Sequence, residues 1–179
     1  MEELLLEINK IKERTSKNEI SLSDKERLIF NRAYNYLSRR EYSQQELIKK
    51  LLQKTEFDRE SIKNVVEKLK ELNYQSNDRY KEMIIKKLLK KGRACSLITQ
   101  ELGMHGIECG REDIEAAKES LDLSDSDVIK NLIDKKIRQL KDRPHKNMRE
   151  SIIRALAAKG HSYYSFSKTL DDSLKDLNS

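Results

Sequence analysis

The chain is predicted to be all-α, folding as an elongated, curved tandem array of three three-helix repeats with an extra N-terminal helix. Three observations carry that expectation. An apolar pattern returns three times: Leu47, Leu51, Phe57, Ile62 and Leu69; then Ile98, Leu102, Ile107, Ile114 and Leu121; then Ile153, Leu156, His161, Phe166 and Leu170. Its period is 51 residues from Leu51 to Leu102 and 54 from Leu102 to Leu156, long enough for three helices in each copy. Composition agrees, with one Pro and five Gly in 179 residues and β-branched residues seldom alternating with polar ones. One copy has too little core to stand alone, whereas stacked copies share buried faces.

Each element has a local reason. Residues 1–26 form a leading helix and linker, with Leu4, Leu5, Ile8 and Ile11 on one stripe. Repeat one spans 27–75. Ser23 and Glu26 make an S-x-x-E capping box that starts its first helix, where Phe30, Ala33, Tyr34 and Leu37 share a face. Ser43 and Glu46 make a second box for a helix to about Lys54, and Asp58 or Ser61 opens a third through Ile62, Val65, Val66 and Leu69.

Repeat two spans 76–122. Ser76, Asn77 and Asp78 offer caps to a helix that reaches Lys91, where Gly92 stops it. A middle helix covers about Ala94 to Leu102, Gly103 to Gly110 is a break, and Arg111 to Leu121 closes the unit. Repeat three spans 123–179 and starts at Ser124 or Ser126 with the stripe Val128, Ile129, Leu132, Ile133, Ile137 and Leu140. Pro144 sits in the next connection or first helical turn, because its ring cannot continue a helix interior. That second helix ends at Lys159-Gly160, and a last one runs from Tyr163 to Leu174.

Composition also excludes several functions. No apolar run approaches the roughly 20 residues of a bilayer span, and the acidic, amphipathic start is unlike a secretory signal. A cytoplasmic, monomeric protein without membrane contact is expected. Two cysteines give no disulfide framework, and Cys95 shares a helical face with Ile98, which makes it a small core residue. There is no G-x-x-x-x-G-K-[ST], H-E-x-x-H or G-x-S-x-G, and His105, His145 and His161 share no spacing. The expectation is therefore no enzyme, no metal and no cofactor.

Charge points to a partner. The net charge is +6. Arg79 to Arg93 holds seven basic residues against Glu82, and Lys135 to Arg149 holds seven against Asp142, so each segment carries +6. Between them, Glu108 to Asp127 has eight acids and two basic residues, a net of −6. At 100° per residue Ile84, Ile85, Leu88 and Leu89 take one half of their helix, and Lys86, Lys87, Lys90 and Lys91 the other. Leu47, Ile48, Leu51 and Leu52 oppose Lys49, Lys50 and Lys54 in the same way. Such faces suit a polyanion, or a protein wrapped on one, with binding that weakens steeply in salt. Tyr34, Tyr74, Tyr80 and Phe166 read as core; Tyr163 and Tyr164 fit either core or surface.

The stretch Tyr36-Leu-Ser-Arg-Arg-Glu-Tyr-Ser-Gln-Gln-Glu-Leu47, with Lys50-Leu51, closely resembles the opening of RecX family proteins, regulators of the RecA recombinase. The similarity continues through Asn73-Tyr74, Asp78-Arg79-Tyr80, Lys91-Gly92, Glu101-Leu102, Gly106-Ile107 and Ala158-Lys-Gly-His-Ser162. The resemblance covers residues 27 to 174. It implies a nine-helix array that lies in the groove of the RecA filament on single-stranded DNA and lowers RecA ATPase and strand exchange, modulating DNA repair and recombination. The docking residues it suggests, together with the charge pattern, are Arg39, Arg40, Lys49, Lys50, Arg79, Lys86, Lys87, Lys90, Lys91, Arg93, Lys135, Lys136, Arg138, Lys141 and Arg143.

Individual positions have competing roles. Arg39 and Arg40 either cap the last carbonyls of the first helix or face the partner. Asp78 is expected as an N-cap, Arg79 as a partner of a nearby acid, and Gly92 as a left-handed helix stop. His161 stands where the family usually has an aromatic residue. The alternative functional reading is a sequence-independent nucleic-acid-binding helical protein acting on DNA itself.

Overall fold

The computed structural model describes residues 22–53, 57–140 and 145–176, without the side chains of 145 and 146. The expected N-terminal helix, Lys54, Lys141, Arg143 and Pro144 lie outside the described residues. Among the described residues there are nine helices and no strand: α1 Asp24–Leu37, α2 Gln44–Leu52, α3 Arg59–Glu71, α4 Asn77–Lys90, α5 Cys95–Met104, α6 Arg111–Ser120, α7 Asp125–Leu140, α8 His145–Ala157 and α9 Tyr163–Lys175.

Most starts are those the capping residues foretell. Ser23 and Glu26 close a reciprocal box on α1. The Ser43 hydroxyl accepts from the Glu46 N–H at 3.1 Å, and Asp58 rather than Ser61 caps α3. One assignment changes: Ser76 caps α4 by accepting from the Arg79 N–H at 3.2 Å, and Asp78 lies exposed in the first turn. A carboxylate there still favours the helix through the dipole.

The described residues fall into two compact units, one within 22–40 and 47–75 and the other within 41–46 and 76–176. In the first, α1 packs on α3 around Ile29, Phe30, Ala33, Leu47, Leu51, Ile62, Val65, Val66 and Leu69, all buried. Tyr74 presents its face or edge at right angles to Phe30 and Tyr34, with ring centroids 6.2 and 5.4 Å away.

The second unit has two apolar clusters. Tyr80, Ile84, Ile85, Leu89, Ile98, Leu102, Ile107, Ile114 and Ala117 fill the space among α4, α5 and α6. Ile129, Ile133, Ile137, Leu140, Met148, Ile152, Leu156, Phe166, Leu170 and Leu174 do so among α7, α8 and α9. Each buried aliphatic side chain contributes roughly 2 kcal/mol of transfer free energy. The middle-helix anchors are Leu47–Leu51, Ile98–Leu102 and Ile152–Leu156, all four residues apart. Ile153, expected as the third copy's anchor, is only partly buried, because the i, i+4 register places Ile152 over Leu156.

Helix ends repeat as strictly as the anchors. Five are closed by a residue at positive φ: Asn73, Gly92, Gly106, Asp122 and Gly160. At each, the next residue's N–H reaches back to a carbonyl five positions earlier, as in Arg93 to Leu88 at 3.0 Å and His161 to Leu156 at 3.1 Å. Two of these ends interlock the halves of the second unit. The Ala94 N–H donates to the Lys159 carbonyl at 2.9 Å, and a His161 ring nitrogen lies 3.0 Å from the Gly92 carbonyl. Glycine is required at both turns: φ is +68° at Gly92 and +87° at Gly160, and a Cβ would meet Leu132 and Leu97 at 2.8 and 2.7 Å.

Candidate partner-binding surface

The basic segment of α4 is divided by its internal acids. Arg79 pairs with Glu41 at 2.6 Å, Lys81 with Asp113 at 2.9 Å and Lys86 with Glu82 at 2.5 Å. The Asp113 hydrogen bond holds the Lys81 ammonium above its ordinary pKa, and in return Lys81, then the Gly110 N–H, hold Asp113 below its own. These three cations are committed to the fold. Lys87, Lys90, Lys91 and Arg93 are exposed, with no carboxylate within ion-pairing distance among the described residues. Ile84, Ile85 and Leu89 are buried behind them, as the helix phase requires.

A groove of about 340 Å³ runs beside this face, between α4 and α5. Its floor includes Ile84, Leu88, Leu97 and Met104, and its rim Lys87, Lys91, Arg93 and Glu101.

The other predicted residues are placed as follows. Arg39 and Arg40 are exposed just beyond the end of α1, where the Arg39 N–H donates to the Tyr36 carbonyl at 3.1 Å. Lys49 is exposed, while the Lys50 ammonium lies 5.1 Å from the centre of the Tyr36 ring. These four residues belong to the first unit, and the cations of α4 and α7 to the second. Lys135 and Arg138 are exposed on α7 and Lys136 is half-buried. Arg149 binds Asp171 and donates to the Tyr163 hydroxyl at 3.0 Å, so it ties α8 to α9.

What the structure does bring together is a cluster at the interlocked turns. Lys159 reaches across to donate to the Lys91 carbonyl, and Arg93 Nη1 donates to the Ala158 carbonyl at 3.0 Å. Burial lowers the Lys159 pKa, and the charges of Arg93, Lys135 and Lys91 lower it further. Four cations therefore share one corner. Sequence reasoning passes over Lys159, although its Lys-Gly pair matches Lys91-Gly92 and signals an equivalent helix end.

The acidic segment behaves differently. Lys118 is 5% exposed and binds Asp125 at 2.8 Å and Glu115 at 3.1 Å. Cys95 and Cys109 pack beside the core of α4, α5 and α6 and are free, and burial pushes the Cys109 thiol up. Among the described residues no three His, Cys, Asp or Glu side chains are grouped to hold a metal ion, and no helix is long and apolar enough to cross a membrane.

These features describe a helical-repeat protein with a charge-divided surface. Similar proteins narrow the class. Residues 30–69 match the family model for "RecX, first three-helix domain". The chain is 31% identical over 134 residues to "Regulatory protein RecX" of Haemophilus influenzae (strain ATCC 51907 / DSM 11121 / KW20 / Rd), covering 74% of this chain and 86% of that one. It is 28% identical over 150 residues to the protein of that name from Mannheimia succiniciproducens, covering 83% and 96%. The fold matches a crystal structure of RecX from Lactobacillus salivarius with a TM-score of 0.63 at 22% identity, over 86% of this chain and 99% of that one. The chain belongs to the RecX family of regulatory proteins.

Proposed function

We propose that the protein docks on the RecA filament formed on single-stranded DNA and inhibits its ATP hydrolysis and strand exchange, thereby modulating recombination and repair. The observation that carries this reading is the outward row Lys87, Lys90, Lys91 and Arg93, four cations with no internal carboxylate partner among the described residues. A nucleoprotein filament is a polyanion with protein walls, and such a row attracts it electrostatically. Family membership supplies the regulatory character, and the choice of RecA as the partner rests on the sequence resemblance and the charge pattern. Lys86 is less suited to contact than its neighbours, because Glu82 already holds it.

The test is a titration of DNA-dependent ATP hydrolysis by RecA. The wild-type chain should suppress hydrolysis, and Lys87→Glu with Lys90→Glu should lose at least about tenfold in potency at unchanged helical content, equivalent to roughly 1.4 kcal/mol. Unchanged potency would remove this face from the mechanism. Tight binding to bare DNA without any effect on RecA would favour the sequence-independent nucleic-acid-binding reading instead.

A further inference from the structure

We propose that the interlocked turns Lys91–Ala94 and Lys159–His161, with Lys135 of α7, form a direct site for the phosphodiester backbone of single-stranded nucleic acid. This deepens the reading above and rests on it for biological context, but the interaction it names needs no RecA.

Four observations support the site. First, two of the four cations are held in place without being neutralised. Lys159 donates to the Lys91 carbonyl and Arg93 to the Ala158 carbonyl at 3.0 Å, and backbone carbonyls orient a cation without cancelling its charge. Second, the scaffold beneath is close-packed. Gly92 lies so close to Leu132 that a Cβ would sit 2.8 Å from it, and Lys135 follows Leu132 by one helical turn, on the side of α7 that meets the turn.

Third, the cluster is electrostatically frustrated. Burial and three like charges hold Lys159 below its ordinary pKa, and no carboxylate lies within ion-pairing distance of these four groups among the described residues. A fold that only needed the turns joined has the Ala94 to Lys159 backbone bond for that purpose. An incoming anion relieves the repulsion.

Fourth, a stacking surface is nearby in the chain. Tyr164, five residues after Lys159, is 94% exposed, whereas Tyr163 packs edge-on against Phe166 at 5.5 Å and accepts from Arg149. An exposed ring a few residues along the chain from unpaired cations offers the two contacts that single strands use, stacking of bases on the ring and neutralisation of phosphates by the cations. An acidic peptide would satisfy the cations but has no use for the ring.

Fluorescence anisotropy of a labelled oligothymidylate, with the full chain and without RecA, tests the site. The quantity read is the slope of log binding constant against log salt, which changes by about 0.7 for each single-strand phosphate that the protein ceases to neutralise. Lys135→Gln with Lys159→Gln should flatten the slope by about 1.4. Lys130→Gln with Lys168→Gln, an equal charge change at two exposed positions, should leave it unchanged. Lys159→Arg should keep the slope, which a loss of turn packing would not. Tyr164→Ala should weaken binding about tenfold with the slope intact.

The proposal is overturned if the wild-type chain does not bind the oligonucleotide at low salt, or if the two double variants have the same slope. Loss of oligonucleotide binding with RecA inhibition intact would leave this site in place but separate it from the regulatory activity. Intact oligonucleotide binding with no effect on RecA would sink the RecA reading alone.

Discussion

Lys118 and Lys159 each place an ammonium group at the edge of a core in the same unit, yet their surroundings are opposite. Lys118 follows Ile114 by four residues, the position held by Val66 after Ile62 and by Leu170 after Phe166, so a lysine stands where two other copies have an aliphatic side chain. Burial works against its charge, but Asp125 and Glu115 outweigh that and raise its pKa. Lys159 has burial and three cations acting in the same direction, and its pKa falls. One lysine completes the fold, joining α6 to the start of α7. The other is left to be completed from outside. A basic residue's place in a charge run therefore says little about its role until its partners are known.

The strongest way to break the contrast is to give Lys118 the isolation of Lys159. Glu115→Gln with Asp125→Asn leaves a 5% exposed ammonium without a carboxylate and should destabilise the protein by about 3 kcal/mol, read as a drop in the urea midpoint at neutral pH. A change below about 0.5 kcal/mol would mean the pair is ornamental. Gly160→Ala acts on the other corner. Its φ of +87° and the 2.7 Å approach to Leu97 should cost about 2 kcal/mol, with oligonucleotide affinity lost along with the turn.

The smallest effect is the most discriminating. Lys159→Met keeps the stem and removes the charge, so stability at neutral pH should stay within about 0.5 kcal/mol of wild type or rise. Linkage fixes the pH dependence. The lowered pKa of Lys159 means that its penalty is full below that pKa and fades as pH rises towards the ordinary lysine value of 10.5. The raised pKa of Lys118 means that its contribution is full below 10.5 and is lost as pH rises through the folded value. Urea midpoints of wild type and Lys159→Met should therefore converge as pH approaches 10.5. A Lys159→Met variant that loses more than about 1 kcal/mol at neutral pH would give that lysine a structural role like that of Lys118.

Much of the fold is legible in the sequence because helix signals are local. Ser23 with Glu26 announces α1, and Gly92 announces the end of α4, since a capping hydroxyl or a left-handed turn needs only its immediate neighbours. Sequence reasoning fails where one residue shifts a face. Pattern alone points to Ile153 rather than Ile152 and does not separate Ser76 from Asp78 as the α4 cap, because close neighbours of similar type differ only in which of them the helix turns inward or leaves at its cap. The outward half of α4 follows from phase. What does not follow is which of its cations remain available: Glu41 and Asp113, which hold Arg79 and Lys81, lie 38 and 32 residues away.

By itself the sequence determined the described helices, most of their caps and repeated anchors, and the side of α4 that faces solvent, since all of these depend on contacts within a turn or two of chain. Only the tertiary structure decided the fate of each charge. Coulomb attraction acts through space, and the turns at Gly92 and Gly160, 68 residues apart in the chain, had to meet before Lys91, Arg93, Lys135 and Lys159 became one cationic corner.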